Sequence, residues 1–333
     1  MVLATLLVVE LGLRIVQRVQ AGTPIFRFGP SAPVAGIAPS SLPVVSDAET
    51  GWAPNPGYHF VGEVSDADGR RRQIEVTQGP HGLRSYGGDK PRRILVIGDS
   101  FTQALCVDDH DTYYARIAKA TDSQVFAAAA AGWGTLQESQ YLSRILADIK
   151  PDLILWQMAY NDFMDNDFEL GKSWKSGCIS SVRPYWKPSG IEYRYSCHGA
   201  WATIFRLGYL LVTRLDKLTA PKEDLLVRQI VQQQAHPGFA AAVATTSSIF
   251  DDVAHKVGNT PVILFLIDSE AAPFSTAARK LATDHKFGFV ENVPLYLGRL
   301  RRVHATVECA DGVHLNDEGH RIVAKALLET LPP

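Results

Sequence analysis

Long apolar runs, cysteines and net charge are all scarce in this 333-residue chain. The amino-terminal apolar stretch, residues 2–16, is broken by Glu10 and Arg14. It is shorter than the about 20 residues that a bilayer-spanning helix needs. It shows neither a basic leader nor a small-residue cleavage site of the Ala-x-Ala kind. The four cysteines have no zinc-type paired spacing. A formal net charge of −2 supplies no overall field for nucleic acid, so no nucleic-acid partner is expected. The basic clusters Arg70-Arg71-Arg72 and residues 299–302 read as solvated surface. Neither GxSxG nor a phosphate-loop motif occurs, which argues against an α/β-hydrolase elbow and a nucleotide enzyme. No internal repeat is found, and residues 127–131 are the one low-complexity block.

What remains is a globular composition, with 46% hydrophobic and 20% charged residues. Residues 1–19 read as the outer part of a signal anchor whose beginning lies before this chain. The other reading is an amphipathic helix on the domain surface. Residues 20–43 are rich in Pro, Gly, Ala and Ser and read as a tether. Alternating stretches such as Tyr58-His59-Phe60-Val61 and Gln73-Ile74-Glu75-Val76 follow. They predict a small antiparallel appendage, so residues 20–90 form a linker and a β-rich unit.

From Arg92 onward strand and helix patterns alternate. Strands are expected at 94–97, 124–128, 153–158, 262–267 and 288–290, the first a continuous aliphatic run. Helices are expected at 112–120, 137–149, 271–285 and 318–331. A longer helical stretch at 223–256 should divide at His236-Pro237-Gly238. The pattern implies a three-layer α/β/α domain over residues 91–333, with a parallel central sheet covered on both faces. An insertion interrupts it at about residues 163–221.

Four segments then draw attention: Gly98-Asp99-Ser100, residues 127–134 (AAAAAGWG), Ala159-Tyr160-Asn161-Asp162, and Asp311-Gly312-Val313-His314. The first three follow predicted strands, and in a parallel sheet they meet at the carboxyl edge, where ligands bind. Each has an ordinary alternative. Ser100 can cap a helix, Asn161 can close an Asx-turn, and Asp311 and His314 can be plain loop residues. A serine hydroxyl attacks only when an adjacent base takes its proton. His314 suits that task, with an ordinary pKa of about 6.5, and Asp311 can hold its ring. A metal set of Asp311, His314, Asp317 and His320 has no recognised spacing. His320 reads as a helix-face residue, and no metal is expected.

With its order and spacing, this set resembles the SGNH, or GDSL-type, hydrolase family from about residue 92 to the carboxyl terminus. The resemblance rests on GDSFT at 98–102, AYND at 159–162 and DGVHLNDEGH at 311–320. It implies an SGNH-hydrolase, flavodoxin-like fold and a serine that attacks an ester carbonyl. Ser100, His314 and Asp311 take the roles of nucleophile, base and orienting carboxylate. The implied oxyanion donors are the Ser100 and Ala129 backbone N–H groups and the Asn161 side-chain amide. The chain departs from the family at Ala129 and near Ala127, where a glycine and an asparagine are usual, and at Ala159, where a glycine often opens the motif.

The expected activity is hydrolysis of a carboxylic ester through an acyl-enzyme, with removal of an acyl group from an envelope glycan as the finer reading. No cofactor is implied, and the partner is a small-molecule or glycan ester. The alternatives are an O-acyltransferase to a sugar hydroxyl and a non-catalytic envelope binding protein. Trp133, in the turn Gly132-Trp133-Gly134, is the pocket candidate. Trp174, Tyr185, Trp186, Tyr193, Tyr195 and Trp201 in the insertion either stack on substrate or pack the insertion down. Residues 207–212 are a candidate lid. Cys178 and Cys197 bracket a loop that a disulfide would restrain. Cys106 and Cys309 are a second pair if the surroundings of Ser100 and His314 converge. Disulfides and an anchor together would place the catalytic domain in the periplasm or outside a bacterial-type envelope.

Overall fold

Ile94, Leu95, Val96 and Ile97 are fully buried, at the centre of a sheet in the computed structural model. The structure describes residues 2–21, 25–26, 42–174, 182–195, 205–219, 225–233, 236–269 and 271–331. Before the main domain come helix α1 (Val2–Ala21), strands β1 (Val44–Asp47) and β2 (Gly51–Pro54), and the pair β3 (His59–Ser65) and β4 (Arg71–Thr77). The main sheet uses β5 (Arg84–Tyr86), β6 (Arg93–Gly98), β7 (Gln124–Ala129) and β8 (Leu153–Met158). Helices α2 (Ser100–Gln103), α3 (Tyr113–Thr121) and α4 (Thr135–Ile149) lie between these strands. The insertion carries α5 (Asn161–Asn166), α6 (Phe168–Ser173), the hairpin β9 (Val182–Lys187) and β10 (Gly190–Tyr195), and α7 (Arg206–Thr219). Helices α8 (Leu225–Gln233) and α9 (Pro237–Val257), strand β11 (Val262–Leu266) and α10 (Phe274–Asp284) follow. Strand β12 (Gly288–Val290), α11 (Asn292–Arg302) and α12 (Asp317–Leu328) complete the domain.

The six-stranded sheet runs β12-β11-β8-β6-β7-β5. All neighbours are parallel except β5, which pairs antiparallel with β7. From β6 the chain steps to β7 on one side and then crosses to β8 on the other. The carboxyl end of β6 is therefore the switch point, where the loops diverge and leave a crevice. Side chains alternate across β6. Leu95 and Ile97 enter a core with Leu142 of α4, Phe250 of α9 and Leu281 of α10. Ile94 and Val96 enter the opposite core with Ile117 of α3, Leu297 of α11 and Val323 of α12. Each fully buried aliphatic chain contributes about 1.5–3 kcal/mol relative to exposure, and that favours this register. The three-layer α/β/α arrangement with its parallel core sheet is the one expected.

Local chemistry sets the helix starts. The Thr112 hydroxyl accepts from Ala115 N–H at 3.3 Å, and Asn316 Oδ1 accepts from Gly319 N–H at 3.0 Å. Pro237 opens α9 just after α8 has ended, with His236 Nδ1 accepting the Phe239 N–H. Two features differ from expectation. Residues 292–302 form a helix that takes in the basic cluster 299–302, with Val293 and Leu297 on its buried side. Residues 84–86, assigned to the appendage, form an edge strand of the central sheet.

The β3–β4 hairpin pairs Phe60 with Val76 and encloses a small core of Tyr58, Ile74 and Val76. Its end is joined to the carboxyl-terminal loop: Ala310 N–H donates to Ser65 O at 2.8 Å and Ala67 N–H to Glu308 O at 3.1 Å. Arg70 and Arg72 both donate to the buried Asp66 carboxylate. Helix α1 meets α7, where Glu10 accepts the Arg206 and Leu207 N–H groups, each at 2.9 Å. The candidate lid, residues 207–212, is thus part of a helix docked on α1. No helix among the described residues is long and apolar enough to cross a membrane.

Candidate active site

Gly98 ends β6 because nothing larger fits. A Cβ there would stand 2.3 Å from Gln157 Oε1 and 2.6 Å from Thr102 Oγ1. Gln157 Oε1 accepts from the Asp99 N–H at 3.2 Å and the Thr102 hydroxyl at 2.8 Å, tying β8 to the turn. Asp99 caps α2, its Oδ1 accepting the Phe101 N–H at 2.9 Å. The capping role considered for Ser100 therefore belongs to its neighbour. Ser100 is the first residue of α2, only partly buried, and its hydroxyl forms no hydrogen bond among the described residues.

Asp311 and His314 form a closed unit. Asp311 Oδ1 accepts from the N–H groups of Val313 at 2.9 Å and His314 at 3.0 Å, while Oδ2 meets His314 Nδ1 at 2.5 Å. Gly312 turns the chain between them with φ +70°. Burial raises the Asp311 pKa, but the imidazole and two N–H groups outweigh it and hold the carboxyl below its ordinary value. A carboxylate at Nδ1 favours the tautomer protonated there and leaves Nε2 as the basic nitrogen. The His314 ring lies 5.3 Å from that of Phe101, the residue after Ser100. Cys106 and Cys309 are joined, with Cα atoms 6.5 Å apart, which fastens the segment after α2 to the segment that enters the His314 loop. No Ser100–His314 hydrogen bond is formed among the described residues; such contacts often tighten only with substrate bound.

Asn161 opens α5 at the carboxyl end of β8. The turn before it is closed by Asp162, whose Oδ2 accepts the Ala159 N–H at 2.7 Å, so the Asx-turn role is not Asn161's. Its amide nitrogen instead donates to Asp165 Oδ2 at 3.0 Å. Asp99 links the pieces electrostatically. Burial pushes its carboxyl up, while the Phe101 N–H, Gln157, His314 and Asn161 pull it back. Asp162 and Glu138, also buried, are pushed well up by burial and by neighbouring carboxylates.

Two expected residues fall elsewhere. Ala129 is the last residue of β7, buried and in register with Gly98, so it belongs to the strand and not to the turn above it. The turn lies at Ala131, which is exposed, and Gly132, which is half-buried and has φ +74°. That conformation suits glycine, and the Gly132 N–H has no partner among the described residues. The backbone therefore leaves the sheet after Ala129 and turns at Gly132. Trp133 is fully buried and cannot line a pocket. Its Nε1 donates to Trp52 O at 2.9 Å and its ring packs 5.0 Å from Tyr141. The alternating strand pattern could not reveal that the indole turns inward against β2.

Other expectations resolve variously. Cys178, Cys197 and Trp201 lie outside the described residues. Tyr185 is buried against Phe168, and Trp174 packs 6.2 Å from Tyr160. Tyr193 is 40% exposed. His320 is buried, accepting the Tyr113 N–H at 3.1 Å through Nδ1, and burial drives its pKa down to about 3. Asp268, at the carboxyl end of β11, follows the same strand-end rule. It accepts the Tyr160 N–H at 3.1 Å, and burial together with Asp99 pushes it up to about 8.

No family model and no curated protein matches the sequence. Among solved structures the chain is similar in fold to TesA, at 17% identity over 73% of this chain and 99% of that one, with a TM-score of 0.43. It is similar to the acetyl xylan esterase AlAXEase at 14% identity over 72% and 100% of the two chains, with a TM-score of 0.38. It is also similar to a lipase/acylhydrolase from Enterococcus faecalis at 14% identity over 72% and 94%, with a TM-score of 0.39.

Proposed function

We propose that the chain is an SGNH-type serine hydrolase that cleaves a carboxylic ester through an acyl-enzyme on Ser100. The observation that carries this reading is the Asp311–His314 pair at 2.5 Å, bound through a disulfide to the segment that follows Ser100. In this reading Ser100 Oγ attacks the ester carbonyl while His314 Nε2 takes its proton. The carbonyl oxygen becomes an oxyanion facing the Ser100 and Gly132 N–H groups and the Asn161 amide. Collapse breaks the ester C–O bond, and His314 returns the proton to the departing alcohol. Water then attacks the acyl-enzyme, gives its proton to His314 and releases the acid as Ser100 recovers its hydrogen. Each oxyanion donor is worth about 3 kcal/mol in such sites.

The finer reading is removal of an acyl group from an envelope glycan. Tyr160 supports it, being partly buried beside Asn161 with Trp174 and Phe274 packed around it, an apolar wall suited to a sugar face or short acyl chain. An envelope location is supported by the Cys106–Cys309 bond. Exposed Leu3, Leu7, Val8 and Val19 on α1 support contact with a membrane surface.

The test is fluorophosphonate labelling with Ser100→Ala and His314→Ala controls, followed by a short-chain aryl ester panel. Covalent labelling at Ser100, strongly reduced in the histidine variant, is the expected outcome. Equal labelling of all three proteins would sink the mechanism. Acyl transfer to an added sugar in excess of hydrolysis would redirect the reading to an acyltransferase.

A further inference from the structure

Arg183 belongs to the insertion hairpin, is 1% exposed, and takes no part in the reaction just described. A buried guanidinium is costly unless several acceptors compensate it. Here the partners are informative. Nη2 donates to Gly132 O at 2.6 Å, and Nη1 lies 2.5 Å from Asp165 Oδ1. The other oxygen of Asp165 accepts the Asn161 amide at 3.0 Å. One planar fork thus touches both the turn that presents the Gly132 N–H and the carboxylate that orients Asn161.

The turn is also gripped from its other sides. Trp52 Nε1 donates to Ala131 O at 2.9 Å, and Gln103 Oε1 accepts the Ala131 N–H at 2.9 Å. The guanidinium stands 5.4 Å from the Trp52 ring, so the hairpin, β2 and the turn meet around it. Burial pushes Asp165 up to about 6 against the pull of Arg183 and Asn161.

We infer that Arg183 is a positioning residue for the oxyanion site, setting the spacing between the Gly132 turn and the Asn161 amide. This rests on the ester-hydrolysis reading. It makes the insertion a structural part of the active site. Lysine keeps the charge but is a point donor that cannot hold both the Gly132 carbonyl and the Asp165 carboxylate in a fixed plane.

The experiment compares the full chain with Arg183→Lys and with the paired change Arg183→Met and Asp165→Asn, which leaves no unpaired buried charge. Ser100 labelling by a fluorophosphonate and kcat and KM on a short aryl ester are measured, with circular dichroism as the fold check. In both variants kcat and the labelling rate should fall by about 10- to 100-fold while KM stays within about twofold. A folded variant that keeps kcat within about twofold, while the parent protein labels at Ser100, overturns the role of Arg183 alone. Absence of Ser100 labelling in the parent overturns the hydrolase reading and this inference with it.

Discussion

Cys106 is bonded to Cys309, and through that bond the segment after the candidate nucleophile is fixed to the segment entering the His314 loop. That segment is also held from outside by β3, where Ala310 N–H donates to Ser65 O. The appendage and the disulfide therefore act on one short loop from two directions.

Replacing both cysteines by serine removes a cross-link between residues 203 apart in the chain. The expected loss is about 3–5 kcal/mol of unfolding free energy, from the added freedom of the unfolded chain. Because the loop carries His314, kcat should fall further than KM changes. Urea titration and steady-state kinetics check the two parts separately. Unchanged kinetics with lowered stability would mean that β3 alone is enough to place the loop.

Gly132 and Ala129 should respond oppositely. Gly132→Ala puts a Cβ on a residue with φ +74°, a strain of about 1 kcal/mol, and disturbs the turn. Activity should fall at least tenfold if one oxyanion donor is misplaced. Ala129→Gly alters only a buried strand end, with a stability cost of about 1 kcal/mol and little change in kcat. Aryl-ester kinetics on the two variants decides between the positions.

His320 makes stability depend on pH. Its folded pKa is depressed to about 3, so between that value and the ordinary 6.5 the unfolded chain binds a proton that the folded one refuses. Stability from this group is complete above about pH 6.5 and declines as pH falls toward 3. Asp268 acts in the opposite sense. Raised to about 8, it stays protonated in the fold, so its contribution is full below the ordinary carboxyl value and lost as pH climbs through 8. The variant His320→Gln should flatten the acid side of a plot of Tm against pH, and Asp268→Asn the neutral side. Parallel curves for His320→Gln and the parent protein would show that the imidazole does not titrate on unfolding.

Much of the domain is legible along the chain because its causes are local. Four aliphatic residues in succession make β6, a proline at 237 starts α9, and Thr112 and Asn316 accept the first free N–H groups of α3 and α12. GDSFT, AYND and DGVH are readable for the same reason, since each is a strand end or loop where polar residues interrupt the apolar pattern. What the linear order does not contain is distance. Whether Ala129 or Gly132 stands at the turn depends on where β7 leaves the sheet, which its pairing with β6 decides. Whether Trp133 faces substrate or core depends on β2, 81 residues away, accepting its indole N–H. Arg183 reads as one more basic residue until folding sets it between Gly132 and Asp165.

Composition and local pattern thus determine which segments become strands, helices and reactive loops, because backbone preference and side-chain polarity act over a few residues. Only the tertiary structure decides which polar groups share a buried space. That choice follows from packing and hydrogen-bond satisfaction among chain segments far apart in the sequence.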